Sequence, residues 1–219
     1  MEIKTNKYLS YKDIMTDNDV VSIFKVYTEI ISSMVIQLET QDGQFPIEIL
    51  NEVRAVFTHF ARCALCGSSN DKEYNDNIKK AEGHIKRAVL DCFKYMCLSY
   101  DDKYKAFEER YKNVDLIVID NGEFYPNLIH KRKLAVDQFY YAKSTEVKHQ
   151  SLDNTLDAFQ DAYNLYVEVD DYIESHYDRL HMAKKRYLKQ NAITVSGWLI
   201  GAVSLIIGIV SWLGCFNNT

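Results

Sequence analysis

Apolar residues recur at every third or fourth position over most of the chain, which is the spacing of amphipathic helices. From Val20 to Leu38 this spacing predicts a first helix over about 18–39, with Asp17 or Asn18 as its N-cap. The glycine at position 43 follows this helix closely, and we expect the helix to be broken there.

Two more helices are predicted downstream. Pro46 suits the first turn of the second helix, which we expect to end near Cys66. Its apolar side is formed by Leu50, Val53, Phe57, Phe60, Ala61 and Ala64. The third helix is predicted from about Tyr74 to Cys97. Its inward-facing residues are expected to be Ile78, Ala81, Ile85, Ala88, Val89, Cys92 and Met96.

The middle of the chain is less regular. A polar stretch rich in Tyr and Lys follows the third helix to about Lys112. The segment Val114–Ile119 is compatible with a short strand or with one buried helical turn, and both interpretations stay open. Asn121-Gly122 and Pro126 mark a loop, and a fourth helix is predicted over about Asn127–Glu146.

The last helix is predicted to begin near Ser151 and to continue without a break to Leu213, a length of about 95 Å. Its apolar series alternates spacings of four and three residues, with one polar exception: Leu152, Leu156, Phe159, Tyr163, Tyr166, Asp170, Ile173, Tyr177 and Leu180. Such a series is typical of a coiled-coil seam or of the bundle-facing side of a long helix.

The end of this helix contains the run Ala192–Leu213, which is 22 residues long and has no charged side chain. A bilayer core needs about 20 apolar residues in helical form, so the run predicts a transmembrane helix rather than a buried core helix. Trp198 and Trp212 lie near its two ends, as interfacial anchors do. Five cations precede it: Arg179, Lys184, Lys185, Arg186 and Lys189. The positive-inside rule then predicts a single-pass protein with its N-terminal head in the cytoplasm, and no signal peptide is expected.

Small residues follow one side of this span at spacings of four and three: Gly197, Gly201, Ser204, Gly208 and Ser211. Such residues let helices approach closely, which favours association into a homo-oligomer, either a dimer or a tetramer. One span cannot enclose a pore, whereas several copies could, with the two serines as polar lining. The alternative is a chance arrangement, because glycine is common in membrane helices.

Composition narrows the fold class. The 219 residues include only 8 Gly and 2 Pro, which excludes turn-rich β-sandwiches, and 16 Tyr with 10 Phe argue against a disordered chain. The net charge of −5 argues against a wholly basic nucleic-acid binder but leaves room for a local basic pocket.

We predict an all-α helical bundle in three parts. Residues 1–150 form the cytoplasmic head, 151–190 a long stalk helix that packs on it, and 191–219 the membrane helix and tail.

Neither the cysteines nor any known catalytic motif predicts a metal site or an enzyme active site. Cys63 and Cys66 form a CxxC without a second one, and Cys92 and Cys97 are their remaining partners in the head. Small buried residues are therefore favoured over a zinc site. No phosphate-binding loop, dinucleotide fingerprint, zinc-protease motif or serine-hydrolase motif occurs, and neither a metal nor a cofactor is predicted.

The second helix contains Arg54 and His59, an R-x4-H pattern. A His can move the proton of a ribose 2′-OH, and an Arg can stabilise a pentavalent phosphate. Five residues apart on a helix, the two side chains diverge by about 140°, so a catalytic site would have to be composed from two chains. Ala55 lies where a polar residue is common in such nucleases, and the alternative is a structural Arg and His on a helix face.

A second constellation lies on the third helix, where His84, Arg87, Asp91 and Lys94 share one face. One interpretation is a salt-bridged helix surface, in which Arg87 and Asp91 pair at i, i+4. The other is a polar stripe that binds an anionic ligand, joined by Arg54, His59 and Arg62 from the second helix. Arginines beside aromatic side chains suit phosphates and stacked bases.

The sequences NEVRAVFTHFARC and AEGHIKRAVLDCFK, followed by a long helix and a terminal span, resemble HEPN-like helical heads fused to a membrane helix. This architecture is similar to the transmembrane effectors of Hailong-type bacterial anti-phage defence systems. The resemblance implies an oligomeric effector in the bacterial inner membrane. It also implies a head that senses a single-stranded oligonucleotide from a partner nucleotidyltransferase, and a membrane part that opens a pore.

Two other functions stay open. A membrane-tethered ribonuclease of the HEPN type, independent of metals, would use Arg54 and His59 as its catalytic pair. A tail-anchored helical scaffold would need neither ligand nor catalysis.

Overall fold

The computed structural model describes residues 20–43, 45–65, 71–148 and 151–216. In these ranges the chain is helical, without a strand. The first helix, α1, has an α-helical start, one π-helical turn and an α-helical end (Val20–Val26, Tyr27–Ile31 and Ser32–Asp42). The others are α2 (Ile47–Leu65), α3 (Asp71–Tyr111), α4 (Phe124–Val147), α5 (Leu152–Ser175) and α6 (Tyr177–Phe216). The all-α prediction is confirmed at this level.

The break after α1 is made by Gly43, as predicted. Its φ of 66° lies in the left-handed region, where glycine has no Cβ to clash, and its N–H donates to the Glu39 carbonyl at 3.0 Å. The predicted N-caps Asp17 and Asn18 lie outside the described residues.

The chain divides into two compact units. The first unit contains the described residues up to Ala106 together with His130–Asp171, and the second contains Phe107–Ile129 with the residues from Tyr172 onward. This division follows contacts between helices, so its limits differ from the predicted boundaries at 150 and 190.

The core of the first unit is formed largely by α1, α3 and α5. All seven predicted inward residues of α3 are buried, including Cys92, so this prediction is confirmed. On α5 the heptad series is buried within the chain at Leu156, Phe159, Tyr163 and Tyr166. Its aromatic rings pack against other helices of the same unit, so this part of the series is a bundle-facing side.

The predicted apolar side of α2 is wrong for most of its residues. Leu50 and Phe57 are each about half exposed, and Ala61 and Ala64 are exposed as well. The helix instead buries Ile49, Val56 and His59. A polar residue takes part in the buried face because His59 has a hydrogen-bond partner there, which an apolar pattern does not reveal.

The third helix is longer than predicted. The polar stretch that follows the predicted end of the helix at Cys97 continues α3 to Tyr111, because Tyr100, Tyr104, Phe107 and Tyr111 are buried at helical spacing. The ambiguous segment 114–119 contains a single 3₁₀ turn, Leu116–Val118, and Asp115 caps it by accepting from the Ile117 N–H at 3.0 Å.

The prediction of an unbroken helix from Ser151 to Leu213 is wrong. The helix breaks at His176, whose N–H donates to the Ile173 carbonyl in a tighter turn. The His176 ring contacts the Tyr172 carbonyl through Nδ1 and the Asp120 carboxylate through Nε2, both at 2.7 Å. These side-chain bonds compete with the regular helical pattern, so the helix ends there.

Within the residues that the structure describes, two helices are long and apolar enough to cross a membrane, Val20–Gln41 and Tyr177–Ser211. The first has buried residues along much of its length, such as Val26, Met34 and Leu38, which is typical of a core helix in a folded head. In the second, every side chain described from Gln190 onward is exposed. Nothing within the described chain covers the part of the predicted membrane span from Ala192 to Ser211.

Candidate functional site

Three of the side chains predicted to act in the head, His59, His84 and Arg87, meet where α2 and α3 pack together. Two residues that were not predicted complete pairs at i, i+7 with the histidines, Glu52 with His59 on α2 and Asn77 with His84 on α3. Arg87 adds a cation one turn further along α3. We call Glu52, His59, Asn77, His84 and Arg87 the α2/α3 polar cluster.

The buried end of the cluster is formed by His59 and Asn77. His59 Nδ1 lies 2.9 Å from Asn77 Oδ1, and the Asn77 amide donates to the Glu73 carbonyl at 2.9 Å. The side-chain oxygen of Asn77 is thus the acceptor, which makes Nδ1 of His59 the donor. The His59 ring also stacks on His84, with 5.3 Å between centroids. Two imidazoles therefore lie side by side.

The open end of the cluster is organised by Glu52. Its Oε2 lies 2.7 Å from His84 Nδ1 and accepts from Arg87 Nε at 3.1 Å. Arg87 Nη2 lies 2.8 Å from the same His84 nitrogen. Because the guanidinium only donates and the carboxylate only accepts, that nitrogen can donate to Glu52 or accept from Arg87, but not both. A carboxylate already fills the place that a phosphate ligand would take.

Arg54 and Arg62 lie outside this cluster. Both side chains are exposed, and neither has an ion-pair partner among the described residues. Arg54 and the buried His59 are not brought together within the chain. Arg62 lines a shallow polar cleft of about 420 Å³. The other residues that line it are Lys72, Glu73, Asp76, Asn77 and Lys80.

The far half of the predicted stripe is engaged by carboxylates. Lys94 pairs with Asp91 at 3.4 Å and with Glu146 of α4. The predicted pairing of Arg87 with Asp91 is wrong, because Glu52 binds the guanidinium instead. Burial raises the pKa of the Asp91 carboxyl, and the positive charge of Lys94 only partly offsets this effect. Lys94 is thus bound within the bundle.

Sequence reasoning missed Glu52 and Asn77, the two groups that hold the histidines. The available signal was their i, i+7 spacing from His59 and His84, which places each pair on one helix face. The hydrogen bond between Tyr95 and α2 was also missed. The Tyr95 hydroxyl donates to Glu48 at 2.7 Å, a bond that lowers the pKa of Glu48 and raises that of Tyr95 to about 12.

Among the described residues, no group of three or more His, Cys, Asp and Glu side chains is arranged to hold a metal ion. Cys66 of the CxxC lies outside the described residues. Cys92 and Cys97 are buried, and burial raises the pKa of each thiol well above its ordinary value. They are placed as core residues.

The small residues of the predicted span face open space in the single chain. A Cβ added at Gly197, Gly201 or Gly208 would meet no atom within 4 Å. Ser204 and Ser211 are exposed. These three glycines therefore have no packing role against the part of the chain that the structure describes.

Comparison of the chain with protein-family models, with characterised proteins and with solved structures gives no significant match.

Proposed function

We propose that this protein is an oligomeric membrane effector of a prokaryotic defence system. Its cytoplasmic helical head binds a nucleotide or single-stranded oligonucleotide made by a partner nucleotidyltransferase, and the bound signal controls a pore formed by the C-terminal helices. One observation carries the proposal: the uncharged side chains of α6 from Gln190 to Ser211 are exposed, and Gly197, Gly201 and Gly208 have open space beside them. A bilayer would cover the apolar surface, and neighbouring copies would pack against the glycines.

Two regions of the head support binding of an anion. Arg54 and Arg62 are exposed and unpaired among the described residues, and Lys72 and Lys80 line the same cleft as Arg62. In the α2/α3 polar cluster, Arg87 and His84 already hold a carboxylate, so their geometry suits an oxyanion. A phosphate could bind there by replacing Glu52.

The test is membrane potential in bacteria that express the full chain, alone and with a candidate nucleotidyltransferase. We expect the full chain to change the membrane potential, and the change to differ between cells with and without the nucleotidyltransferase that makes the signal. A chain that ends at Gln190 should leave the membrane potential intact. Unchanged potential in every combination, with the protein present in the membrane, would overturn the proposal.

Packing of copies is tested by Gly201→Leu with Gly208→Leu. Because a side chain at these positions meets nothing within one copy, the change should leave the single chain folded and block close helix approach. The matched control is Val203→Leu with Val210→Leu, which also adds bulk to the span at a spacing of seven residues. Only the glycine variant should abolish depolarisation.

A ribonuclease is the second candidate because His59 and His84 stack as two adjacent imidazoles, an arrangement that suits a general acid and a general base. Its difficulty is that Arg54 is exposed whereas His59 is buried and bound to Asn77. His59→Ala should then abolish toxicity and RNA cleavage. An effector that acts through the membrane should stay toxic when triggered.

A further inference from the structure

The start of α6 is strongly basic. It carries five cations, and no Asp or Glu follows Asp178 in the chain. The cations are Arg179, Lys184, Lys185, Arg186 and Lys189. Their number is enough to set a membrane orientation, but their surroundings in the second unit differ from one residue to the next.

Two of these cations have partners in the protein. Arg179 pairs with Asp120, the same carboxylate that His176 contacts. Lys184 lies over the Tyr111 ring, with its Nζ 5.6 Å from the centroid. Arg179 and Lys184 are therefore both engaged by other residues of the second unit.

The other three are exposed and have no partner among the described residues: Lys185, Arg186 and Lys189. At about 100° per residue they fall within a sector of roughly 100° on the helix surface. Arg186 also lines a cleft of about 330 Å³ beside the 118–121 loop. The carboxylate in that cleft, Asp120, is already bound, so it does not neutralise Arg186.

Lys185, Arg186 and Lys189 lie nearer than Arg179 to the start of the uncharged run, measured along the helix axis. With a rise of 1.5 Å per residue, Lys189, Arg186 and Lys185 lie roughly 5, 9 and 11 Å before Ala192, where the uncharged run starts. The headgroup layer is about 5–8 Å thick, and Lys and Arg side chains extend toward it. Arg179 lies roughly 20 Å before the run and is out of reach.

We propose that Lys185, Arg186 and Lys189 form a binding site for the headgroups of anionic phospholipids in the cytoplasmic leaflet. The site prefers these lipids to zwitterionic ones because three unpaired cations on one face attract a net negative headgroup. Arg186 can hold a phosphate through two parallel hydrogen bonds, and the lysines add point charges. The inference rests on the membrane placement of α6 in the proposed function.

The two tryptophans of the chain, Trp198 and Trp212, make this preference measurable. Trp212→Phe leaves Trp198 as the single reporter near the three cations, and Trp198→Phe leaves the reporter at the other end of the span. Each full-length protein is reconstituted into vesicles in which either phosphatidylglycerol or phosphatidylcholine carries brominated acyl chains. Fluorescence quenching then gives the relative occupancy of the two lipids beside each tryptophan.

We expect Trp198 to be quenched several-fold more effectively by brominated phosphatidylglycerol than by brominated phosphatidylcholine, and Trp212 to show no such preference. Lys185→Gln with Arg186→Gln and Lys189→Gln should remove the preference. The control with the same loss of charge, Lys25→Gln with Lys79→Gln and Lys133→Gln on exposed sites of the head, should retain it.

The possible failures are distinguishable. Equal quenching of Trp198 by the two lipids would overturn the headgroup site and leave the membrane placement standing. Absence of quenching by either lipid would show that α6 is not in the bilayer, and both proposals would fall. If the Lys25, Lys79 and Lys133 control also lost the preference for phosphatidylglycerol, the preference would depend on the net charge of the protein. That result would overturn a specific site at Lys185, Arg186 and Lys189.

Discussion

Three cations of the head, Arg87, Lys94 and Arg132, and three cations of α6, Lys185, Arg186 and Lys189, meet different surroundings. In the first unit, Arg87, Lys94 and Arg132 each bind a carboxylate of another helix. Arg132 also lies between the Tyr104 and Tyr166 rings, at 4.8 and 5.2 Å from their centroids. In the second unit, Lys185, Arg186 and Lys189 bind nothing in the described chain.

The difference separates cations that hold the fold from cations available for a ligand. A cation that packs between helices loses water and needs a carboxylate partner. A cation on an exposed helix face keeps its water and can exchange it for a phosphate. By this criterion Arg54 and Arg62, which are exposed and unpaired, resemble Lys185, Arg186 and Lys189. Lys94 differs from them, although Arg54, Arg62 and Lys94 were predicted to bind the same ligand.

The largest effect is expected from Arg132→Ala. The change leaves the Asp101 carboxylate without its guanidinium and removes two cation–π contacts. Because Lys105 still pairs with Asp101 at 2.9 Å, we expect the free energy of unfolding to fall by about 1–3 kcal/mol, measured by chemical denaturation of the full chain in detergent. Lys133→Ala, at the exposed neighbouring position, should change it by less than about 0.5 kcal/mol. Equal effects of the two variants would show that Arg132 does not hold the fold.

Glu52→Gln tests whether the α2/α3 polar cluster can bind an anion. The variant keeps the size of the side chain and removes the charge that occupies His84 and Arg87. We expect the affinity for a fluorescent single-stranded oligonucleotide to rise about tenfold, measured by anisotropy with the full chain. Glu48→Gln is the matched control, since this carboxylate on the same helix binds Tyr95 instead of a cation. Unchanged or weaker binding by Glu52→Gln would mark the cluster as structural.

The smallest effect is expected from Asp91→Asn, and it depends on pH. Burial raises the pKa of Asp91 above its ordinary value of 3.8, so the folded protein holds this proton to higher pH than the unfolded chain does. The stability of the native protein therefore falls as pH rises from the ordinary value through the raised one. Asparagine does not titrate, so the variant should gain stability relative to the native protein over that interval, by about 1 kcal/mol or less.

Denaturation curves of the two proteins at several pH values check this expectation. The variant removes the ion pair between Lys94 and Asp91, but Lys94 still pairs with Glu146, so the loss of the first pair should cost little stability. A relative stability that is constant with pH would show that Asp91 is hydrated in the native protein.

The candidate site could be predicted only in part. Helix spacing placed His84 and Arg87 on one face of α3, and the structure has them 2.8 Å apart through Nδ1 and Nη2. Spacing could not show that Glu52 of α2 would bind both, because that contact depends on how the two helices are rotated against each other. The same rotation turned Leu50 and Phe57 of α2 outward, whereas the pattern predicted both on the apolar side of the helix.

The sequence by itself determined the helical class, the inward face of α3 and the uncharged run at the end of α6. Each of these follows from the order of apolar, polar and breaking residues along one helix, which is local information. Tertiary structure decided the break at His176, since Asp120 approaches it from 56 positions away. It also decided which cations are paired, because a carboxylate on a different helix competes with solvent for each one, and only packing brings the two charges together.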